Sequence, residues 1–278
     1  MTDQILAPRK TNPGDMLLRS ASFGYIGLLI ILPILAVIVR SLQGGLAMLW
    51  ADITVPQALY SLKLTIITAF IMVLVNIVTG TATAWVLVRY KFPGKQIMDA
   101  LIDLPFAMPT IVAGIMLVAL YGPKSIIGSF LQGYGIEIMF NTPGIIIALL
   151  FVTFPFVVRA VQPVLIELDQ DMEEAAKTLG ASSLAIFIRI VLPSLMPSIL
   201  TGAALSFSRA LGEFGSIIMV AGNIPFRTQV ASVYIYGEIE SYNPQGALGL
   251  SFVLLFFSFA ILLILNFIQY WNRRHENK

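Results

Sequence analysis

GALGLSFVLLFFSFAILLILNFIQY, residues 246–270, is an apolar stretch without a single charged side chain. A helix rises about 1.5 Å per residue, so a run of roughly 20 such residues crosses the ~30 Å hydrocarbon core of a bilayer. Working back from it, five more windows of the same kind lie near residues 21–39, 62–88, 99–121, 143–163 and 195–220. Strands of a membrane barrel alternate apolar and polar residues over roughly 10 positions; here the apolar runs are continuous and about twice as long. The chain is 58% hydrophobic and 12% charged, against roughly 25% charged in a soluble domain. The expectation is an all-α polytopic membrane protein with six transmembrane helices, each pairing its backbone polar groups internally because lipid offers no partner.

Positive charge marks one side of that membrane. Arg9, Lys10 and Arg19 precede the first window, Arg89, Lys91 and Lys95 follow the second, Arg159, Lys177 and Arg189 surround the connection from the fourth to the fifth, and Arg273, Arg274 and Lys278 end the chain. The other connections are poorer, with Arg40 and Lys63, Lys124, and Arg227. Cationic loops stay in the cytoplasm, so both termini are expected there. Residues 1–20 read as an N-terminal tail, 21–271 as the membrane domain and 272–278 as a C-terminal tail. The first window is long and no small-residue cleavage site follows it, so it reads as a retained span rather than a signal peptide. There is no cysteine, and the single histidine, His275, sits in the charged tail, which excludes thiol chemistry, disulfides and a Cys/His metal site. Pro105 and Pro109, four residues apart in the third window, mark it for a bend or hinge.

Between the fourth and fifth windows the composition changes to Glu167-Leu-Asp-Gln-Asp-Met-Glu-Glu-Ala-Ala-Lys-Thr-Leu-Gly180, followed by Ala-Ser-Ser-Leu-Ala-Ile-Phe-Ile-Arg-Ile-Val-Leu-Pro193. This reads as one short amphipathic helix followed by a second. Met172, Ala175, Ala176 and Leu179 fall on one face, and Glu173, Glu174, Lys177 and Thr178 occupy the other. Asp169 and Asp171 suit a helix start, and Glu173 and Lys177 stand in the favourable order for an i,i+4 pair. Gly180 suits a left-handed helix end, with Ser182 or Ser183 as the next cap. Read by composition alone, this segment is either a solvated loop helix or a helix whose small alanines fit closely against another protein.

The run Glu174-Ala-Ala176, then Gly180, then Ile190-Val-Leu-Pro193 resembles the EAA motif of binding-protein-dependent ABC importer permeases at every anchor position. The resemblance implies a type I ABC importer permease (MetI-like) fold with its core over about 58–270 and its coupling loop over 165–193. It also implies that Glu174 is the polar docking contact, Ala175 and Ala176 the close-packing face, and Gly180 the turn, with Ile190, Leu192 and Pro193 completing the motif. Such a chain is a transport subunit and not itself an enzyme. The implied partners are two ABC ATPase subunits, a second permease subunit of a different but related chain, and a periplasmic sulfate-binding protein. Membrane lipid surrounds the chain, and no nucleic acid is involved. The resemblance assigns no cofactor to this chain and places ATP-Mg on the ATPase. The residues agree with this division: a phosphate-binding loop needs Gly-Lys-Ser/Thr, and the only Gly-Lys, Gly94-Lys95, is followed by Gln96, with Arg89 where the leading glycine belongs.

From the second window onward the chain is similar to the T subunits of sulfate/thiosulfate permeases, with molybdate permeases close behind. The stretches that carry this are Arg89-Tyr-Lys-Phe-Pro-Gly94, residues 99–109, Phe156-Val-Val-Arg-Ala-Val-Gln-Pro163 and residues 205–215. The implied function is import of sulfate or thiosulfate across the inner membrane by alternating access, with molybdate as the alternative anion. An ion-coupled carrier is the alternative of another class, and it leaves the EAA match without a role. Arg209 and Glu213, four apart in the fifth window, sit where a lone charge costs roughly 3 kcal/mol or more. They either neutralise each other as a helix lock or face the translocation path. Asp103, beside Pro105 at the cytoplasmic side of the third window, is either a helix-start charge near the interface or part of the translocation path or gate, and Arg159 and Arg209 are both candidate partners; the sequence leaves these open.

Overall fold

The computed structural model describes residues 13–276; Arg9, Lys10 and Lys278, used above as topological markers, lie outside them. The chain divides into two compact units between Ala51 and Asp52, a boundary that no linker-like stretch marks in the sequence. In the first unit, α1 (Pro13–Ile26), a π turn (Gly27–Ile31) and α2 (Leu32–Leu42) run on as a single apolar helix, longer at both ends than the expected 21–39. Pro33 begins α2. The short α3 (Gly45–Ile53) follows.

The second unit is built on α4 (Pro56–Arg89), α8 (Thr142–Glu167) and α11 (Leu192–Leu211). At 34 residues, α4 is about 51 Å long, well beyond the ~30 Å hydrocarbon thickness. Glycines let these helices approach closely. A Cβ on Gly80 would lie 2.8 Å from Val157 Cβ, and one on Gly202 would lie 2.7 Å from Val157 Cα, the small-residue contact that membrane helices use where burial against lipid supplies no drive. Buried polar groups add direction: Asn76 donates to Thr153 Oγ1 at 2.8 Å, and Ser206 Oγ donates to the Thr153 carbonyl at 3.3 Å. Leu87, Val157, Val161, Leu165, Val191 and Leu195 form the apolar core at one end of the three helices.

α5 (Lys95–Ala107) and α6 (Thr110–Tyr121) meet at 116°. Pro109 causes the break: it has no N–H to give, and its ring holds Met108 extended at φ −105°, ψ 147°. Each piece is only about 20 Å long, too short to cross alone. The flanking helices decide whether the pair crosses or turns back. Asn76 meets Thr153 and Gly80 meets Val157 at the same sequence offset, and Arg89 at the end of α4 is ion-paired to Glu173 just past the end of α8. α4 and α8 are therefore parallel and finish on one face, so the segment between them must cross once. α5 and α6 form one broken span, and the six expected crossings stand, the third of them kinked where the prolines placed it.

The fifth span differs from expectation. It begins at α10 (Ser183–Ile186), passes through a π turn (Phe187–Val191) into α11, and ends at Leu211, whereas the apolar window ran from 195 to 220. Gly212 ends α11, and residues beyond the break re-form as the separate α12 (Gly215–Ala221). Hydropathy counts apolar residues without registering such a break. The short α7 (Ile126–Gln132) lies between α6 and α8, α13 (Ala231–Glu240) follows α12, and α14 (Pro244–Glu276) carries the opening stretch.

Candidate functional site

α9 (Gln170–Thr178) stands at the shared end of α4 and α8. Its start is capped as the sequence suggested: Asp169 Oδ1 accepts the Asp171 N–H at 3.0 Å, and Asp171 and Glu173 lie in the first turn. Gly180 takes φ +83°, the left-handed conformation that a residue without Cβ adopts most readily. Ser182 Oγ then accepts the Ala185 N–H at 3.3 Å. The second helix of this hairpin is not separate, because it runs straight into the fifth span. Ile190 and Leu192 accordingly pack on the core of this chain, while Pro193 is exposed at the start of α11.

The faces of α9 are assigned differently from the periodicity. Met172 is 47% and Leu179 88% exposed, and Ala175 and Glu174 are exposed as well. Ala176 alone of the predicted apolar face packs inward, and the buried side chain is Glu173. Instead of lying along the helix toward Lys177, its carboxylate accepts from Arg89 NH2 at 2.6 Å, the two side chains being 11% and 10% exposed. Arg89 also stands over the Trp85 ring at 5.6 Å, and its Nε and second NH group have no partner. Periodicity could not find this pair, since Arg89 lies 84 residues away. A recess of about 280 Å³ beside it is lined by Arg89, Glu173, Glu174 and Lys177. The arrangement is an exposed small-residue and methionine surface fastened to the body of the protein by a shielded ion pair.

The remaining charges form two further groups. Arg159 of α8 holds both carboxylate oxygens of Asp103 at 2.7 Å, Asp99 Oδ1 at 2.7 Å and the Asp99 carbonyl at 2.8 Å. Asp103 is thereby committed to Arg159, and α5 is bolted to α8. Arg209 pairs with Glu213 at 2.7 Å, across the end of α11 rather than along one helical face. Glu213 is 1% exposed, and its other oxygen accepts from the Ser216 N–H and Oγ, both at 2.9 Å; Ser232 Oγ donates to its backbone carbonyl at 2.6 Å. Glu213 thus ties α11, α12 and α13 together. Arg209 keeps 36% of its side chain exposed, so it is neutralised without being buried.

Comparison with known proteins follows the same lines. The family model described as "Binding-protein-dependent transport system inner membrane component" matches residues 76–277. The sulfate transport system permease protein CysT of Synechocystis sp. is 47% identical over 253 residues, covering 91% of this chain and 88% of the relative. The protein of the same name in Salmonella typhimurium is 40% identical over 264 residues, 95% of each. Among solved structures, a bacterial ABC transporter that imports the acidic polysaccharide alginate superposes with a TM-score of 0.75, over 94% of this chain and 96% of that one. At 17% identity that likeness bears on the fold alone.

Proposed function

The chain belongs to the binding-protein-dependent transport system inner membrane components, and from that membership we propose that it is the sulfate-conducting permease subunit of an ATP-driven importer. The observation that carries the reading is the conjunction of an exposed α9 fastened through Arg89–Glu173 with 40% and 47% identity to sulfate permeases over nearly the whole chain. α9 is the handle, with Glu174, Ala175 and Gly180 facing the ATPase, and Ala176 and Glu173 facing the permease. In this reading the face bearing α9 is cytoplasmic, and with six crossings both termini lie on that side as well.

ATP with magnesium belongs to the partner ATPases, whose approach moves α9. The Arg89–Glu173 pair passes that displacement to α4, and the shared backbone of α10 and α11 passes it to the fifth span. Nucleotide shifts the permease between inward and outward states only through such differential contacts. A periplasmic binding protein delivers the anion to the opposite face, and a second, related permease chain completes the cavity. Arg209, neutralised by Glu213 without being buried, offers its remaining N–H groups to the passing dianion. It holds the anion weakly, because the positive charge is already shared. Asp103, clamped by Arg159, keeps the broken span in place and thereby shapes the gate.

The test is uptake of radiolabelled sulfate by cells lacking the gene, with thiosulfate and molybdate as competitors. Loss of sulfate uptake, restored by the gene and competed by thiosulfate, supports the assignment. Unchanged sulfate uptake with lost molybdate uptake overturns the choice of anion.

A further inference from the structure

A groove of about 960 Å³ runs along the unit between α4 and the π turn and first turns of α11. Val78, Phe187 and Met196 wall it along its length, and Trp85, Tyr90 and Lys91 stand at one end. Its α4 wall extends from Ile77 to Val86, about 14 Å at roughly 1.5 Å per residue, and one leaflet of the hydrocarbon core is about 15 Å deep. The groove therefore has the depth of a single leaflet. It is apolar where the acyl region lies and carries aromatic rings and a cation where the headgroups lie.

The charged end is unbalanced. No acidic residue lines the groove, and Lys91 has no acidic partner among the described residues. Just beyond, sharing Trp85, Tyr90, Ser183 and Phe187, is the recess that holds Arg89. Arg89 is 10% exposed and has Nε and one NH group unpaired, donors that a buried guanidinium ordinarily gives to an acceptor. Those two nitrogens are themselves sealed inside the protein, so the cation that an anionic group entering the groove meets is Lys91. A helix from another protein would have to bring an acid to Lys91 and still fill a channel shaped along one leaflet. Trp85 and Phe187 meet edge to face at 5.3 Å, so the two walls of the groove touch at this level.

We propose that this groove is a binding site for one phospholipid with an anionic headgroup, its acyl chain against Val78 and Met196 and its phosphate at Lys91. The proposal rests on α4 being a membrane span and is independent of which anion the importer carries. Because α9 fastens to the same end, the lipid would lie directly against the coupling element.

The experiment places benzoylphenylalanine at Met196, and separately at Val78, in the assembled importer. Each protein is illuminated in nanodiscs of phosphatidylcholine mixed with a minor share of phosphatidylglycerol, and the adducts are identified by mass spectrometry. One lysine near an anionic membrane surface implies phosphatidylglycerol adducts about fivefold above its bulk share, and Lys91→Glu should return the ratio to bulk. Adducts at bulk share with Lys91 intact, or a cross-link to the second permease chain, overturn the proposal. Transport is not the readout, so an error in the assigned anion leaves the result unaffected. Two probe positions on opposite walls guard against one substitution preventing assembly.

Discussion

Glu173→Ala tests the central mechanical claim. Arg89 and Glu173 are 10% and 11% exposed, and two of the three guanidinium nitrogens already lack partners. Removing the carboxylate leaves the whole guanidinium buried and unpaired but for the Trp85 ring, at a cost of about 3–5 kcal/mol, or roughly two to three and a half powers of ten in the docked-to-undocked ratio of α9. Little else opposes that loss, since Glu173 is the buried residue of α9 and Ala176 its inward contact. The helix should therefore come away from the body while the spans stay packed. In the purified importer with its binding protein, ATP hydrolysis should persist while sulfate uptake falls at least tenfold. The double variant Arg89→Met, Glu173→Leu should recover uptake to within a few-fold of the original, because an apolar pair of similar size replaces a buried ion pair at little or no cost. Full uptake by Glu173→Ala in an intact complex would refute the idea that this pair transmits the stroke.

Glu174→Arg should abolish uptake without altering membrane insertion or the amount of permease, measured by transport and by immunoblot of membranes. Gly180→Val forces a β-branched residue to φ +83°, a strain of roughly 1–2 kcal/mol, and should lower ATPase co-purification. Gly202→Ala places a methyl 2.7 Å from Val157 Cα, a backbone atom that cannot step aside. Overpacking of about 1–3 kcal/mol should appear as a lower unfolding temperature of the detergent-solubilised complex. Arg209→Ala should reduce sulfate uptake several-fold at normal expression; it also leaves Glu213 buried without its cation, so Arg209→Lys, which restores the charge, should recover part of the rate.

The sequence by itself determined the solvent of this protein, the crossings and the position of the kink. Runs of apolar residues, prolines and charged loops are local features that act through the helix they belong to, and the caps at Asp169 and Ser182 and the turn at Gly180 were legible for the same reason. The EAA spacing likewise singled out the segment that folds as the α9 hairpin. What only the tertiary structure decided was pairing across distance. Helical periodicity defines an apolar face of α9 but not the direction in which it points. Burial turned on Arg89, supplied by a helix 84 residues earlier, which drew Glu173 inward and left Met172 and Leu179 outside. Asp103 was bound to Arg159 rather than Arg209 because the broken span lies along α8. The fifth helix stopped at Leu211, where Gly212 breaks it and Glu213 binds three helices at once. A charge in a sequence has a sign and a place in line; its partner depends on which helices pack together, and that is a property of the folded chain.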